Sequence, residues 1–181
     1  VRPEHYRLSV DVDPARSRSY HGKLAIEFRL AKAADSLELH AVGLQISLAY
    51  LGQGAARQRA EILLVPEHET VRLLVPVKLA AGAQEVELEF SGTLQDDLRG
   101  LYYASREQNH YAFTQLEAAD ARRFFPCFDE PSFKARFSID VTTSAKYTVV
   151  SNSPEVATER LAKGQKRVRF AQTPLLSTYL V

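Results

Sequence analysis

Apolar residues fall on every second position in two long stretches near the start of this chain, and this pattern constrains the fold more than any other feature. The first stretch runs from Tyr6 to Val12 and the second from Leu24 to Leu30. A period of two residues is that of a β-strand with one buried and one solvated face. The intervening segment 13–22 contains turn-forming Asp, Pro and Gly residues, so the two strands are predicted to pair as a hairpin.

Shorter apolar runs separated by turn residues continue along the whole chain and extend the all-β prediction. Strands are predicted over residues 37–41, 45–51, 60–65, 71–75, 85–90, 101–104, 111–113, 133–141, 147–150, 168–170 and 175–181. The segments after Gly52 and around residues 161–164 are predicted to be loops. No amphipathic helical pattern longer than about three turns is present, which disfavours a parallel βαβ architecture. The pattern therefore predicts a β-sandwich or a curved sheet with at most short helical turns.

Length and charge limit the classes of protein to which the chain can belong. Its 181 residues suit a single domain, and 45% apolar with 25% charged residues is the balance of a soluble globular protein. The 23 basic residues are interleaved with 22 acidic ones, so no basic face for nucleic acid is predicted. No apolar run approaches the roughly 20 residues of a membrane helix, and no secretory signal pattern is present. A cytoplasmic and an exported location both stay open.

Three short patterns resemble catalytic motifs, and each has a simpler structural interpretation. Residues 68–72 nearly match the zinc-protease pattern H-E-x-x-H, but Arg72 replaces the second histidine, so we interpret a turn leading into a strand. The Gly52–Gly54 segment lacks the lysine and hydroxyl residue of a phosphate loop and is interpreted as a turn. Cys127 has aromatic and proline neighbours, an apolar setting that predicts a buried, unreactive thiol. The other histidines are isolated in sequence, so no metal site is predicted.

The segment TQLEAADARRFFPCFDEP, residues 114–131, concentrates acidic, basic and aromatic residues in one place. Thr114 and Glu117 have the spacing of a helix capping box, which predicts a short helix over the following residues. Glu117 could instead be a substrate-binding carboxylate; the spacing favours the cap, and the residues alone leave both interpretations open. The charged residues of the segment can form an ion-pair network that braces the loop, namely Asp120, Arg122, Arg123, Asp129 and Glu130.

The same segment closely resembles one found in the aminopeptidase N-like zinc aminopeptidases, a family that includes leukotriene A4 hydrolase. Further matching stretches are spread over almost the whole chain: RPEHYRLSVDVD, GKLAIEF, LELHAVGLQI, GLYYAS, VVSNSPEV and TPLLSTYLV. The resemblance implies that residues 1–181 are the N-terminal β domain of such an enzyme, with a large curved antiparallel sheet and a smaller packed sheet. The absence of methionine and the apolar run at the C-terminal end likewise suggest part of a longer protein.

In that family a thermolysin-like domain follows and carries H-E-x-x-H and a G-x-M-E-N loop, neither of which occurs here. The resemblance implies that zinc and the catalytic residues belong to that domain, and that this chain binds no metal and is inactive alone. It also implies that Glu117 binds the free α-amino group of a peptide and that Gln115 lines the pocket for the first side chain. A cis peptide bond between Glu117 and Ala118 is implied as well, with FFPCFDEP as the scaffold behind the loop.

The sequence therefore leaves two interpretations of the function open. We expect the substrate-recognition domain of a zinc-dependent aminopeptidase that removes N-terminal amino acids, with the peptide N-terminus and the following catalytic domain as its partners. The alternative is a non-catalytic β-sheet interaction module from a relative that has lost peptidase activity. Glu117 favours the first function because a carboxylate is the natural partner of an ammonium group.

Overall fold

The computed structural model describes residues 1–181 and consists almost entirely of β-strands. The strands are β1 (Arg2–Asp11), β2 (Ser19–Leu30), β3 (Ala34–His40), β4 (Gln45–Leu51), β5 (Gln58–Arg59), β6 (Glu61–Val65), β7 (Thr70–Leu79), β8 (Gly82–Thr93), β9 (Gly100–Arg106), β10 (Asn109–Gln115), β11 (Arg136–Ser144), β12 (Glu155–Arg160) and β13 (Gln165–Phe170). The helical content is limited to single 3₁₀ turns at Gly54–Ala56, Pro66–His68, Ala121–Arg123, Ala162–Gly164 and Thr178–Leu180. No helix has the length and apolar character needed to cross a membrane.

The strands form one large sheet and two smaller ones, which confirms the predicted all-β class. The large sheet has eight strands in the order β12-β13-β11-β1-β2-β8-β4-β5. A three-stranded sheet has the order β3-β7-β6, and β9 pairs with β10 in a separate two-stranded sheet. Strands β1 and β2 pair antiparallel as predicted, whereas β1 and β11 pair in parallel. The large sheet is therefore mixed rather than wholly antiparallel.

Alternation in the sequence becomes alternation in burial along the central strands. In β2, for example, Ile26 and Phe28 are fully buried while their neighbours are exposed or half-buried. The buried face packs against the segment that follows β10: Tyr6, which stacks on Phe137 of the neighbouring strand at 4.8 Å, meets Phe125 of that segment edge-on at 6.2 Å. Burying a side chain of this size stabilises the fold by roughly 1.5–3 kcal/mol. The large sheet is thus the base on which the 114–131 segment is mounted.

Two glycines in the centre of the large sheet are matched to aromatic rings on the facing strand. Gly22 pairs with Phe90 and Gly92 pairs with Tyr20, all between β2 and β8. A Cβ built on Gly22 would lie 2.1 Å from the Cζ atom of Phe90, and one on Gly92 would lie 2.4 Å from the hydroxyl of Tyr20. Each ring therefore covers the backbone of the glycine opposite to it, and no side chain fits in its place.

Several strand assignments from the sequence differ from the structure, including β5, which was not predicted, and β11, which begins three residues later than predicted. Residues 147–150 form no strand, because Val150 is exposed and the run finds no neighbour with which to pair. Residues 175–181 form no strand: Leu176 makes one isolated β-bridge with Ala135, Thr178–Leu180 is a 3₁₀ turn, and the Ser177 hydroxyl donates to the Pro131 carbonyl at 2.6 Å. Strand β12 was not predicted, since all six of its residues are exposed and no alternation marks it. The predicted loops at residues 54–58 and 161–164 each contain one 3₁₀ turn, although Gln58, the last residue of the first loop, begins β5.

Candidate functional site

The candidate site lies where β10 ends and the following loop begins, and the three residues from Gln115 to Glu117 alternate in exposure. Leu116 is buried with 1% of its surface exposed, whereas Gln115 and Glu117 are both exposed. In extended backbone, successive side chains point to opposite sides. With Leu116 anchored in the core, both predicted site residues therefore project outward. The Glu117–Ala118 peptide bond is cis, as the resemblance implied.

The capping-box interpretation of Thr114 and Glu117 is wrong. Thr114 lies in β10, where it pairs with Leu101 of β9, so its backbone is extended and begins no helix. The only helical turn of the segment is the 3₁₀ turn at Ala121–Arg123, whose preceding residue, Asp120, makes no side-chain cap. Pairing within the β9–β10 hairpin therefore overrides the local capping signal, and the Glu117 carboxylate is not used by a helix.

The predicted ion-pair network exists, and it contains one residue from a distant part of the chain. The Nε atom of Arg122 lies 2.9 Å from the Oδ2 atom of Asp129, and its Nη1 atom lies 2.8 Å from the Oε2 atom of Glu69. Arg123 pairs with Asp120 at 2.8 Å. Glu130 is exposed and takes no part, although it was predicted to do so. Glu69 precedes Arg122 by 53 residues, so no local pattern could predict its contribution.

Asp129 is the buried centre of this network. Its side chain has no exposed surface, and its Oδ2 atom also accepts the backbone N–H of Arg122 at 3.2 Å. Its Oδ1 atom accepts the hydroxyl proton of Thr178 at 2.8 Å. A buried carboxylate is tolerated only when its oxygens are hydrogen-bonded and its charge is paired. Asp129 thus joins the loop behind Glu117 to the C-terminal turn.

None of the ion pairs around the loop includes Glu117. Its carboxylate is exposed, whereas Asp120, Arg122, Arg123 and Asp129 of the same segment are paired with one another or with Glu69. Beneath the loop, the Tyr20 hydroxyl donates to the Phe124 carbonyl at 2.8 Å, which ties it to the large sheet. The arrangement leaves the Glu117 carboxylate unpaired on a loop that is held from below and from the side.

Cys127 is fully buried, as predicted. Burial raises the pKa of its thiol well above the ordinary value, and the Asp129 carboxylate nearby raises it further. The thiolate is the reactive form of cysteine, so a thiol held protonated is a poor nucleophile. The backbone of Cys127 exchanges two hydrogen bonds with His40, at 2.8 and 3.1 Å, and the residue is therefore part of the scaffold.

A chain with this fold and loop can be compared with known proteins. The model of the peptidase M1 N-terminal domain matches residues 2–180. This chain belongs to the peptidase M1 N-terminal domain family. The M1 peptidases are zinc metallopeptidases as a family, and the resemblance noted in the sequence is thereby confirmed.

Curated relatives match this M1 domain along its entire length. Aminopeptidase N of Acetobacter pasteurianus is 34% identical over 186 residues, which are 100% of this chain and 51% of the relative. Human Endoplasmic reticulum aminopeptidase 1 is 34% identical over 191 residues, with 100% of this chain and 20% of the relative covered. The Probable M1 family aminopeptidase 1 of Encephalitozoon cuniculi (strain GB-M1) is 34% identical over 185 residues, 100% of this chain and 21% of the relative. The chain thus spans between about a fifth and a half of the length of these relatives.

The residues of this M1 domain do not fit the zinc ion that the family implies. His68 lies in a 3₁₀ turn, Glu69 has a left-handed backbone with φ 58°, and Thr70 begins β7. The near-match to H-E-x-x-H is therefore a turn leading into a strand, as predicted, and its side chains cannot stack on one helical face. No group of three or more His, Cys, Asp or Glu side chains is arranged to hold a metal ion.

An apolar groove of about 330 Å³ lies beside the M1 domain's candidate loop and was not predicted. It runs along β10 from Tyr111 to Thr114 and is closed by β1, β11 and residues 147–152. Neither Gln115 nor Glu117 lines it. The groove forms from strands that are far apart in sequence, which explains why no local pattern marked it.

His40 makes the M1 domain's stability depend on pH in a predictable direction. Its Nδ1 atom accepts the backbone N–H of Asp129 at 3.1 Å, which requires the neutral ring. Burial, with the Arg122 charge in addition, lowers its pKa below the ordinary 6.5. A base with a lowered pKa contributes stability above pH 6.5 that is lost as the pH falls toward the folded-state pKa. We therefore expect the free energy of unfolding to decrease below pH 6.5.

The His40→Asn variant tests this expectation by chemical denaturation across the acidic range. The asparagine carbonyl can accept the same N–H at every pH, so the decrease in unfolding free energy should be smaller than in the wild type. If the slope of unfolding free energy against pH is unchanged in the variant, other groups cause the pH dependence. His5 is one such group, because burial lowers its pKa as well.

Proposed function

We propose that this chain is the substrate-recognition domain of a zinc-dependent aminopeptidase that removes N-terminal amino acids from peptides. Glu117 binds the α-ammonium group of the substrate, and Gln115 contacts the first side chain. The observation that carries this proposal is the exposed Glu117 carboxylate, which has no partner in the ion-pair network that holds its own loop. Membership of the M1 family supports the peptidase class.

An aminopeptidase has to distinguish a terminal ammonium group from an internal amide. A carboxylate does this because its hydrogen bonds to an ammonium group are charge-assisted, and a neutral amide cannot replace them. A site that loses such a bond is left with an unpaired charge, which makes the discrimination large. Glu117 has the charge and the exposure that this task requires.

The rest of the loop explains why Glu117 is suited to set the position of a substrate. The residue that precedes Glu117, Leu116, is anchored in the core. The Asp120 N–H donates to the Leu116 carbonyl at 3.0 Å, so that Glu117 lies within a closed turn. A group that is held in place loses little conformational freedom when it binds its ligand. An ammonium group bound to Glu117 therefore has a fixed position relative to the domain. This fixes the position of the first peptide bond of the substrate as well.

We assign peptide hydrolysis to a following thermolysin-like domain, which holds the zinc ion and the general base. This chain by itself should therefore not hydrolyse aminoacyl anilides, with or without added zinc. Its contribution is to bind the peptide N-terminus and to orient the first residue. The partners of the domain are thus the peptide and the catalytic domain of the same protein.

The Glu117→Gln variant of the complete enzyme tests the proposed function. We expect KM for substrates with a free amino group to rise and kcat/KM to fall roughly 10- to 100-fold, because a charged hydrogen bond is worth about 1.5–3 kcal/mol. N-acetylated substrates lack the ammonium group, so their slow hydrolysis should change little. Steady-state kinetics on matched free and acetylated peptides provides the measurement.

Glu130→Gln is the matched control, since it makes the same chemical change at an exposed acidic residue outside the network. It should leave both substrate classes unaffected. An equal loss on free and acetylated peptides in Glu117→Gln would contradict amine recognition and would indicate a general defect of the enzyme.

A further inference from the structure

The Glu69 carboxylate contacts the loop that carries Glu117, although it comes from a different part of the chain. Glu69 lies on the turn between β6 and β7 in the three-stranded sheet, in a left-handed backbone conformation with φ 58° and ψ 34°. Residues other than glycine, asparagine and aspartate seldom adopt this backbone conformation. Its carboxylate reaches across to the candidate loop, where it lies 2.8 Å from the Nη1 atom of Arg122 and 4.0 Å from the Nη2 atom of Arg123.

We propose that Glu69 is a positioning residue that holds the loop of Glu117 in the orientation needed to bind a peptide's ammonium group. The inference rests on the proposed function of Glu117 and adds a second residue, on a different sheet, that acts through the loop. Glu69 itself is not proposed to touch the substrate.

Backbone hydrogen bonds connect the turn of Glu69 to the loop by a second route. The Ala41 N–H donates to the Glu69 carbonyl at 2.8 Å, and the next N–H, of Val42, donates to the Arg122 carbonyl at 2.9 Å. Two consecutive amides after β3 thus bind one residue of each segment. The ion pair between Glu69 and Arg122 adds a side-chain contact between the same two segments. Together these contacts hold the three-stranded sheet and the loop in one relative position.

A route of contacts connects Glu69 to Glu117 through Arg123, whose Nη2 atom lies 4.0 Å from the Glu69 carboxylate. Arg123, next to Glu69, pairs with the Asp120 carboxylate at 2.8 Å. The Asp120 N–H donates to the Leu116 carbonyl at 3.0 Å. Glu117 follows Leu116 directly and lies inside that turn. A shift of the two arginines would therefore change the orientation of the residue that carries the recognition group.

Glu69 is suited to positioning rather than to holding the fold together. Its side chain is 46% exposed, whereas Asp129, the other partner of Arg122, is completely buried. Exposed ion pairs contribute little to stability, typically about 0–1 kcal/mol. Arg122 keeps its buried partner when Glu69 is replaced, so the network should survive with the loop less tightly oriented.

The experiment is a double-mutant cycle in the complete enzyme with Glu69→Gln and Glu117→Gln, which measures kcat and KM on free-amino peptides. We expect Glu69→Gln alone to lower kcat/KM roughly two- to tenfold, mainly through KM, as is typical for residues coupled in one network. In the Glu117→Gln background the same change should have no further effect, since the group that it positions is already lost. General destabilisation would reduce activity equally in both backgrounds and would overturn the proposal.

Glu38→Gln is the matched control. Glu38 also belongs to the three-stranded sheet, pairs with Arg72 at 3.0 Å and is 43% exposed, but no ion pair or side-chain hydrogen bond joins it to the loop. It should leave KM unchanged, and a KM effect equal to that of Glu69→Gln would also overturn the positioning role. If Glu117→Gln lowers kcat/KM but Glu69→Gln does not, the positioning role is wrong and amine recognition stands. If Glu117→Gln has no effect, both are wrong.

Discussion

Replacing Asp129 with alanine should lower the free energy of unfolding by about 3–5 kcal/mol, the cost of breaking a buried ion pair by removing one partner. The Asp129 side chain has no exposed surface, and its oxygens accept hydrogen bonds from Arg122 and from the Thr178 hydroxyl. The variant leaves the guanidinium of Arg122, which is only 14% exposed, with Glu69 as its remaining charged partner. Chemical denaturation of wild type and variant measures the difference.

Asp96→Ala is the control for this prediction. Asp96 also pairs with an arginine, Arg18, at 3.1 Å, but its side chain is 88% exposed. Water solvates both charges there, so the expected loss is only about 0–1 kcal/mol. A loss of similar size for Asp129→Ala would mean that the buried network does not stabilise the domain.

Replacing Gly22 with alanine should destabilise the fold by about 3 kcal/mol, the upper part of the range for overpacking a core. The new Cβ atom would lie 2.1 Å from the Cζ atom of Phe90, well inside van der Waals contact. Phe90 is buried and packs edge-on against Tyr20 with centroids 6.4 Å apart, so a movement of its ring would disturb this packing. Denaturant titration of the purified domain again provides the measurement.

A second substitution distinguishes overlap from a simple loss of glycine. Phe90→Leu removes the ring atoms that the new methyl group would meet, at the cost of a smaller buried side chain. In the double variant the alanine should therefore cost less than it does beside Phe90, so the two effects are not additive. Strict additivity would rule out the contact between position 22 and the ring as the cause.

Strands with one buried face could be predicted from the sequence because burial imposes a period of two residues. This holds for β1 and β2 and for the hairpin that they form. The rule fails where burial does not alternate. Strand β12 is exposed on both faces, so its sequence shows no period of two residues. Residues 175–181 are mostly apolar but form no strand, and the Ser177 and Thr178 hydroxyls bond with the FFPCFDEP segment instead.

For the candidate site, the residues alone could not choose between a helix cap and a binding carboxylate at Glu117. Family resemblance favoured the carboxylate, and the position of Thr114 in β10 excludes the cap. The hairpin decided this, because an extended residue paired with Leu101 cannot also begin a helix. The amine-binding role of Glu117 and the contact of Gln115 with the first side chain stay predictions that the kinetic experiment tests.

The sequence by itself determined the all-β class, the central hairpin, the buried state of Cys127 and the composition of the charged loop, since each depends on neighbouring residues. Only the tertiary structure decided which charges meet. Glu69 reaches Arg122 across 53 residues because the turn before β7 lies against the loop after β10, and Phe90 covers Gly22 because their strands are in register. Contacts of this kind depend on how sheets and loops are arranged in space, and short-range periodicity carries no information about that arrangement.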